Sequence, residues 1–147
     1  MKVLLDTNIF LEYFQRRGQY QAVSQLFSAI ENGSLDAVIT TGSVYTLAYL
    51  IRVELKRMDI HRPEQTERLR QTLNAVLSLA TVIDMNHKHI VLGVNDTTFD
   101  DVEDSFQHQC AVQNHCDAIV SINTRDFAGS RLPVLTPKDL AAQLNND

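Results

Sequence analysis

Short runs of consecutive apolar residues alternate along the chain with longer stretches in which apolar positions recur every three or four residues. The first run, Val3-Leu4-Leu5, stops abruptly on Asp6. A strand buried on both faces reads as such an unbroken run, and it belongs in a parallel sheet covered on both sides. Ile9, Phe10, Leu11, Tyr13 and Phe14 then predict a short apolar helix closed by Arg16-Arg17-Gly18, since cations and glycine suit a helix C-terminus. Tyr20, Val23, Leu26, Phe27 and Ile30 carry helical spacing in a second helix, which ends at Asn32-Gly33.

The alternation repeats. Ala37-Val38-Ile39 predicts a second strand, Thr40 to Ser43 a turn, and Val44, Leu47, Leu50, Ile51 and Leu55 the apolar face of a third helix. Pro63-Glu64 reads as the first turn of a fourth helix, with Leu69, Leu73, Val76, Leu77 and Ala80 as its stripe. Thr81 to Asp84 predicts a strand, Met85 to Val94 a helix, and Asn95 to Thr98 a polar loop. A helix from about Asp100 to Asn114 and a strand over Ala118 to Ile122 follow. Pro133-Val134-Leu135 reads as a short edge strand and Pro137 to Leu144 as a closing helix. Strands alternating with amphipathic helices predict one α/β domain over residues 1–147, a three-layer α/β/α stack with a mainly parallel central sheet of four to five strands.

Composition narrows the function. A chain of 147 residues that is 44% hydrophobic suffices for one self-supporting core. Thirteen Lys and Arg against eighteen Asp and Glu leave a net charge of −5, so the surface as a whole repels a polyanion. Nucleic-acid binding then needs a local basic patch or a bound cation. No stretch has the length of a membrane span, and the apolar run before Asp6 is too short for a signal peptide, so the expected location is cytoplasmic. Cys110 and Cys116 lack the density of a disulfide scaffold and read as free thiols. His108, Cys110, His115 and Cys116 make a poor zinc set, because residues 108 and 110 point about 200° apart on a helix.

Three acidic segments follow strands or open a helix. In an open parallel sheet the crevice outside the carboxyl ends of the strands is where ligands sit. Asp6 ends the first strand there, although Asp6, Thr7 and Asn8 also suit the cap of the next helix. Asp100-Asp101-Val102-Glu103-Asp104 opens a later helix, where its dipole favours acids in any case. Asp101 and Asp104 are three residues apart and share a helical face with Gln107 and His108. Ser121-Ile122-Asn123-Thr124-Arg125-Asp126-Phe127 follows the fourth strand and also has the composition of a surface turn. Carboxylates brought together repel or recruit a cation. Oxygen-rich sites of that kind suit Mg2+ or Mn2+, which can activate water against a phosphodiester.

Leu4-Leu5-Asp6-Thr7-Asn8, Asp101-Val102-Glu103-Asp104 with Gln107, and Val120-Ser121-Ile122-Asn123-Thr124-Arg125-Asp126-Phe127, in this order and over this length, resemble a PIN domain. That family includes the VapC-type toxins of toxin–antitoxin pairs. The resemblance implies a Mg2+- or Mn2+-dependent endoribonuclease with an RNA substrate, a small antitoxin protein as partner, and a homodimer. It implies that Asp6, Asp104 and Asp126 are the catalytic and metal-binding acids, with Asp101 and Asn123 as further ligands. Asn123 stands where many relatives have Asp. Thr7, Asn8, Thr46, Glu103 and Ser121 are implied to surround the metal, with Asn8 holding the acids by hydrogen bonds and Ser121 standing where Thr is usual. The family's second acid, a Glu, aligns with Thr46, whose hydroxyl is a weaker ligand for a hard cation; Asp101 or Glu103 would compensate. An antitoxin would lay a helix or tail into a groove and place a basic side chain near the acids.

Arg16, Arg17, Arg52, Lys56 and Arg57 are candidates for guiding RNA phosphates, and each also reads as a solvated helix position. The alternative function is a catalytically weakened PIN-like module that binds RNA or protein, which the substitution at Thr46 favours. A haloacid-dehalogenase-like phosphatase needs Asp where this chain has Asn8, and the glycine-rich fingerprints of nucleotide-binding folds are missing.

Overall fold

Residues Lys2–Leu5 form strand β1, and the apolar run is explained by its central place: Val3, Leu4 and Leu5 have no solvent exposure. The computed structural model describes residues 1–147. After β1 come α1 (Thr7–Phe14), α2 (Tyr20–Glu31), β2 (Asp36–Thr40), α3 (Thr41–Arg57), α4 (Glu64–Leu79) and β3 (Thr81–Ile83). The second half has α5 (His87–Val94), α6 (Val102–Gln113), β4 (Ala118–Val120), a 3-10 turn (Thr124–Phe127), β5 (Val134–Leu135) and α7 (Pro137–Asn146).

The five strands pair in the order β3-β2-β1-β4-β5, every pair parallel. Leu4 stands beside Val38 on one side and Ile119 on the other. Because side chains alternate across a strand, this row faces one layer, where Phe99, Cys110, Ala111 and Phe127 meet it. The neighbouring rows of Val3, Leu5, Ala37, Ile39, Ala118 and Val120 face the opposite layer, against Phe10, Leu26, Leu47, Val76 and Leu140. Each fully buried Leu contributes on the order of 1.5–3 kcal/mol from burial alone.

This strand order positions the site. From β1 the chain steps outward to β2 and β3, then returns to the other side of β1 for β4 and β5. The connections leaving β1 and β4 diverge, and the crevice between their carboxyl ends is the sheet's switch point. Asp6 sits at its mouth, with its backbone N–H donated to Val120 O at 2.9 Å.

Several boundaries differ from the sequence expectation. Thr40 to Ser43 is no turn: Thr40 is the N-cap of α3, accepting from Ser43 N–H, and Thr41 is already helical. The helix expected from Asp100 starts at Val102, with Asp101 as its cap. Pro63 precedes α4 rather than standing inside it. Leu77 is half exposed, off the buried line that runs through Leu69 and Val76. The left-handed residue after α1 is Arg16, at φ 48°, and not Gly18.

Helix α6 is buried on most sides, with Ser105, Gln107, His108, Gln109, Cys110 and Ala111 all in the interior. His108 Nε2 accepts the Arg131 N–H at 3.0 Å, which puts the ring hydrogen on Nδ1. Both cysteines are free and buried. No helix is long and apolar enough to cross a membrane.

Candidate functional site

Asp6 is the most constrained acid in the molecule. It is 7% exposed, and both carboxylate oxygens accept hydrogen bonds. Oδ1 takes the Thr7 N–H at 2.8 Å and Gln107 Nε2 at 2.8 Å, while Oδ2 takes the Ser121 hydroxyl at 2.7 Å. Burial pushes the Asp6 carboxyl above its ordinary value; the bonds from Gln107, Ser121 and the Thr7 backbone oppose this, and the charge of Asp126 adds to it. Capping and facing the crevice are compatible, since Asp6 caps α1 through the adjacent Thr7 N–H and keeps the rest of its carboxylate for other partners.

Asp104, in the first turn of α6, is half-buried in the same crevice. Burial first, and then the charges of Asp6, Asp101, Asp126 and Glu103, push its carboxyl up to about 7. The two acids are therefore electrostatic neighbours, brought together from the end of β1 and the start of α6. They line one cleft of about 400 Å³ with Thr7, Asn8, Ser43, Thr46, Glu103 and Gln107. Glu103 is on its exposed rim.

The other expected ligands are arranged differently. Asp101 spends Oδ1 on the Asp104 N–H at 3.1 Å as the cap of α6, and it lines a neighbouring concavity with Asp100, Arg125 and Asp126. Asp126 is exposed on the 3-10 turn, near enough for its charge to raise both Asp6 and Asp104. Asn123 is exposed, and its backbone N–H donates to Ser121 Oγ at 3.0 Å. Asn8, expected to hold the acids, instead accepts the Ile122 N–H at 3.3 Å and so ties the end of β1 to the end of β4. Thr46 is on the cleft wall, exposed, with its hydroxyl donated to Gly42 O at 3.1 Å.

Ser43 and Thr40 did not stand out in the sequence as site residues. The Ser43 hydroxyl lies 3.3 Å from Gln107 Oε1 and 2.9 Å from Thr7 Oγ1. Its readable signal is the Thr40-x-x-Ser43 spacing of a helix cap, which says nothing of the partner across the crevice. No three His, Cys, Asp or Glu side chains stand close enough together to form a closed metal cage. A strongly hydrated hard cation needs only one or two carboxylates, and the donor set of Asp6 and Asp104 suits that kind of ion.

The candidate cations lie just after α1 and along α3. Arg17 and Arg57 line a separate groove of about 480 Å³ between α1, α3 and α4, which meets the acid cleft at Leu11. Arg57 pairs with Glu54 at 2.7 Å, Arg17 bonds Gln15, and Arg16 lies over the Tyr20 ring. Arg52 and Lys56 are exposed on α3.

The model of the PIN-domain family matches residues 2–125, most of the chain. This chain belongs to the PIN-domain family. Solved structures agree on the PIN fold. VapBC2 from Rickettsia felis, bound to a DNA fragment from its promoter, superposes at a TM-score of 0.65 with 17% identity, covering 92% of this chain and 98% of that one. A toxin–antitoxin complex from Klebsiella pneumoniae gives 0.62 and 23%, covering 92% and 97%. DNA-bound VapBC from Salmonella typhimurium gives 0.67 and 16%, covering 93% and 98%. No curated protein sequence matches this PIN domain. The acid cleft described above lies wholly within the matched residues, from Asp6 to Gln107.

Proposed function

We propose that this PIN domain is a Mg2+- or Mn2+-dependent endoribonuclease of the cytoplasm and the toxin of a toxin–antitoxin pair. The observation that carries the reading is the meeting of Asp6 and Asp104 in one cleft at the switch point of the sheet, with Asp104 raised to about 7 by burial and by neighbouring carboxylates. Asp6 and Asp104 hold the cation, and the charge of Asp126 faces the same pair from the rim. Asp101 and Asn123 stand further out and add outer contacts. When bound, the cation neutralises a phosphate and lowers the pKa of a coordinated water towards neutrality.

The remaining groups serve that pair. Gln107, Ser121 and the Thr7 N–H fix the Asp6 carboxylate, Asn8 joins the two strand ends that carry it, and Glu103 stands on the rim. Arg52 and Lys56 are exposed on α3, whose first turns wall the cleft, and they guide RNA phosphates; Arg16, Arg17 and Arg57 already have partners. An antitoxin segment would occupy the groove between α1, α3 and α4, which opens into the cleft at Leu11; the similarity to a toxin–antitoxin complex from Klebsiella pneumoniae supports such a partner. The reading includes a homodimer.

The experiment is cleavage of a mixed tRNA, rRNA and mRNA pool with Mg2+ or Mn2+ by the wild type, Asp6→Asn and Asp104→Asn. Cleavage by the wild type alone is the expected result, and equal cleavage by all three overturns it. A second reading, a weakened module that binds RNA or protein without cutting, is favoured by Thr46, which offers the cleft a hydroxyl already bonded to Gly42 O. Metal binding without cleavage by the wild type would select it.

A further inference from the structure

Asp6 is the end point of two chains of hydrogen bonds, and the hydrogens along both point towards it. Ser43 Oγ has Thr7 Oγ1 at 2.9 Å, Thr40 Oγ1 at 3.2 Å and Gln107 Oε1 at 3.3 Å. A hydroxyl carries one hydrogen, and an amide oxygen can only accept. Ser43 therefore spends its hydrogen on Gln107, and the Thr7 and Thr40 hydroxyls donate to Ser43. The Asp6 carboxylate, which can only accept, decides which way the Gln107 amide faces: Nε2 turns to Asp6 Oδ1 at 2.8 Å. Oε1 is left to accept the Ser43 hydrogen, which braces the amide in that pose. On the other side, Asn123 N–H donates to Ser121 Oγ, and Ser121 passes its own hydrogen to Asp6 Oδ2.

Counting lone pairs gives the consequence. Each carboxylate oxygen accepts two bonds in the carboxyl plane. Thr7 N–H and Gln107 use both on Oδ1, whereas Ser121 uses one of the two on Oδ2. Gln107 and Ser43 are 7% and 3% exposed, so water does not substitute freely for either. We propose that Gln107, braced by Ser43, is a positioning residue that occupies Oδ1 of Asp6 together with the Thr7 N–H and leaves Oδ2 as the oxygen that would hold a cation. The inference rests on the proposed cation-dependent function and adds to it the residues that set how Asp6 is presented.

A buried amide with only a packing role would change stability and leave cation affinity alone. The test therefore measures Mn2+ dissociation constants by electron paramagnetic resonance of the free ion, with thermal melting alongside, for the wild type, Gln107→Met, Ser43→Ala, Ser43→Thr, the Gln107→Met/Ser43→Ala pair and Asp6→Asn. Gln107→Met is expected to weaken Mn2+ binding by about 10- to 100-fold, the range for groups that orient a metal ligand. Ser43→Ala weakens it less and adds nothing in the pair, because both act through one bond to Asp6. Ser43→Thr, which keeps the hydroxyl, binds as the wild type does. A folded Gln107→Met with wild-type affinity overturns the inference, as do additive effects in the pair. Should Gln107→Met not fold, a Ser43→Ala protein with wild-type affinity overturns it equally. If Asp6→Asn binds Mn2+ as well as the wild type, the cation reading itself falls and takes this inference with it.

Discussion

At the scale of single residues, the acid cleft is held together at an electrostatic cost that pH exposes. Asp104 is pushed up to about 7 in the folded protein, against about 3.9 for a free Asp. The native state therefore binds more protons than the unfolded chain between those values, and this group's contribution to stability is fully present below about pH 4 and lost as pH rises through about 7. His108 tilts the profile the other way, since burial, and then the charge of Arg131, hold it below its ordinary value. The difference between Asp104→Asn and the wild type isolates the carboxylate: we expect the variant to gain melting temperature relative to the wild type as pH goes from 5 to 8. Added Mg2+ should narrow that gap by stabilising only the wild type, and a gap independent of pH would contradict the assignment. Thr46 belongs to the same scale. Its exposed position on the cleft wall has room for an acid, so Thr46→Glu is expected to tighten Mn2+ binding several-fold, as read by the free-ion signal. Asp6 and Asp104 were legible as candidate acids from their positions after a strand and at a helix start, whereas the separate duties of Asp101 and Asn8 were not. A capping acid and a ligating acid have the same composition, and only the direction of each side chain separates them.

Among the elements, α6 carries most of what spacing could not show. Its sequence has little amphipathic character because it is buried on both its sheet side and its α5 side, and its polar residues find partners inside: Ser105 donates to Gly93 O at 2.9 Å, and Gln107 reaches Asp6. Close approach to α5 depends on Gly93, where an added Cβ would come within 2.6 Å of the Phe106 ring. Gly93→Ala should push the ring or the helix aside at a cost of about 1–3 kcal/mol, the usual penalty for overpacking. Because Phe106 also lines the cleft, the same variant should weaken Mn2+ binding, and urea unfolding with a parallel binding measurement checks both effects. The strands were legible to within two residues, since each is a short apolar run. The start of α3 was not, because Thr40, Thr41, Gly42 and Ser43 suit a turn and a helix cap equally well.

For the whole molecule, the strand order brings residues about a hundred positions apart into one crevice, and apolar side chains on α3 stay uncovered. Tyr45, Tyr49 and Val53 are 85%, 62% and 48% exposed on α3, at four-residue steps that put them on one side. Exposed aromatic and aliphatic groups in a row mark an interaction surface. If the proposed homodimer forms through it, the wild type should have the solution mass of two chains and Tyr49→Glu that of one, as measured by light scattering on a sizing column. An unchanged dimer would move the interface elsewhere. The core sets a separate expectation. Phe10 is fully buried and stacked on Phe27 with ring centres 5.7 Å apart, so Phe10→Ala should cost about 3–5 kcal/mol in chemical unfolding.

Local pattern determined the layers of this protein, the parallel character of its sheet, and which loops could hold acids, because strand and helix periodicities and turn chemistry are written in neighbouring residues. The family motifs added a set of positions. What only the tertiary structure decided is the traffic between them: Gln107 and Ser121 on the two oxygens of Asp6, Ser43 behind Gln107, and Asn8 on the Ile122 N–H rather than on an acid. These bonds join segments separated by up to 115 positions. Their geometry depends on how two strands and two helix starts converge at the switch point, a property of the packed sheet that no spacing along the chain records.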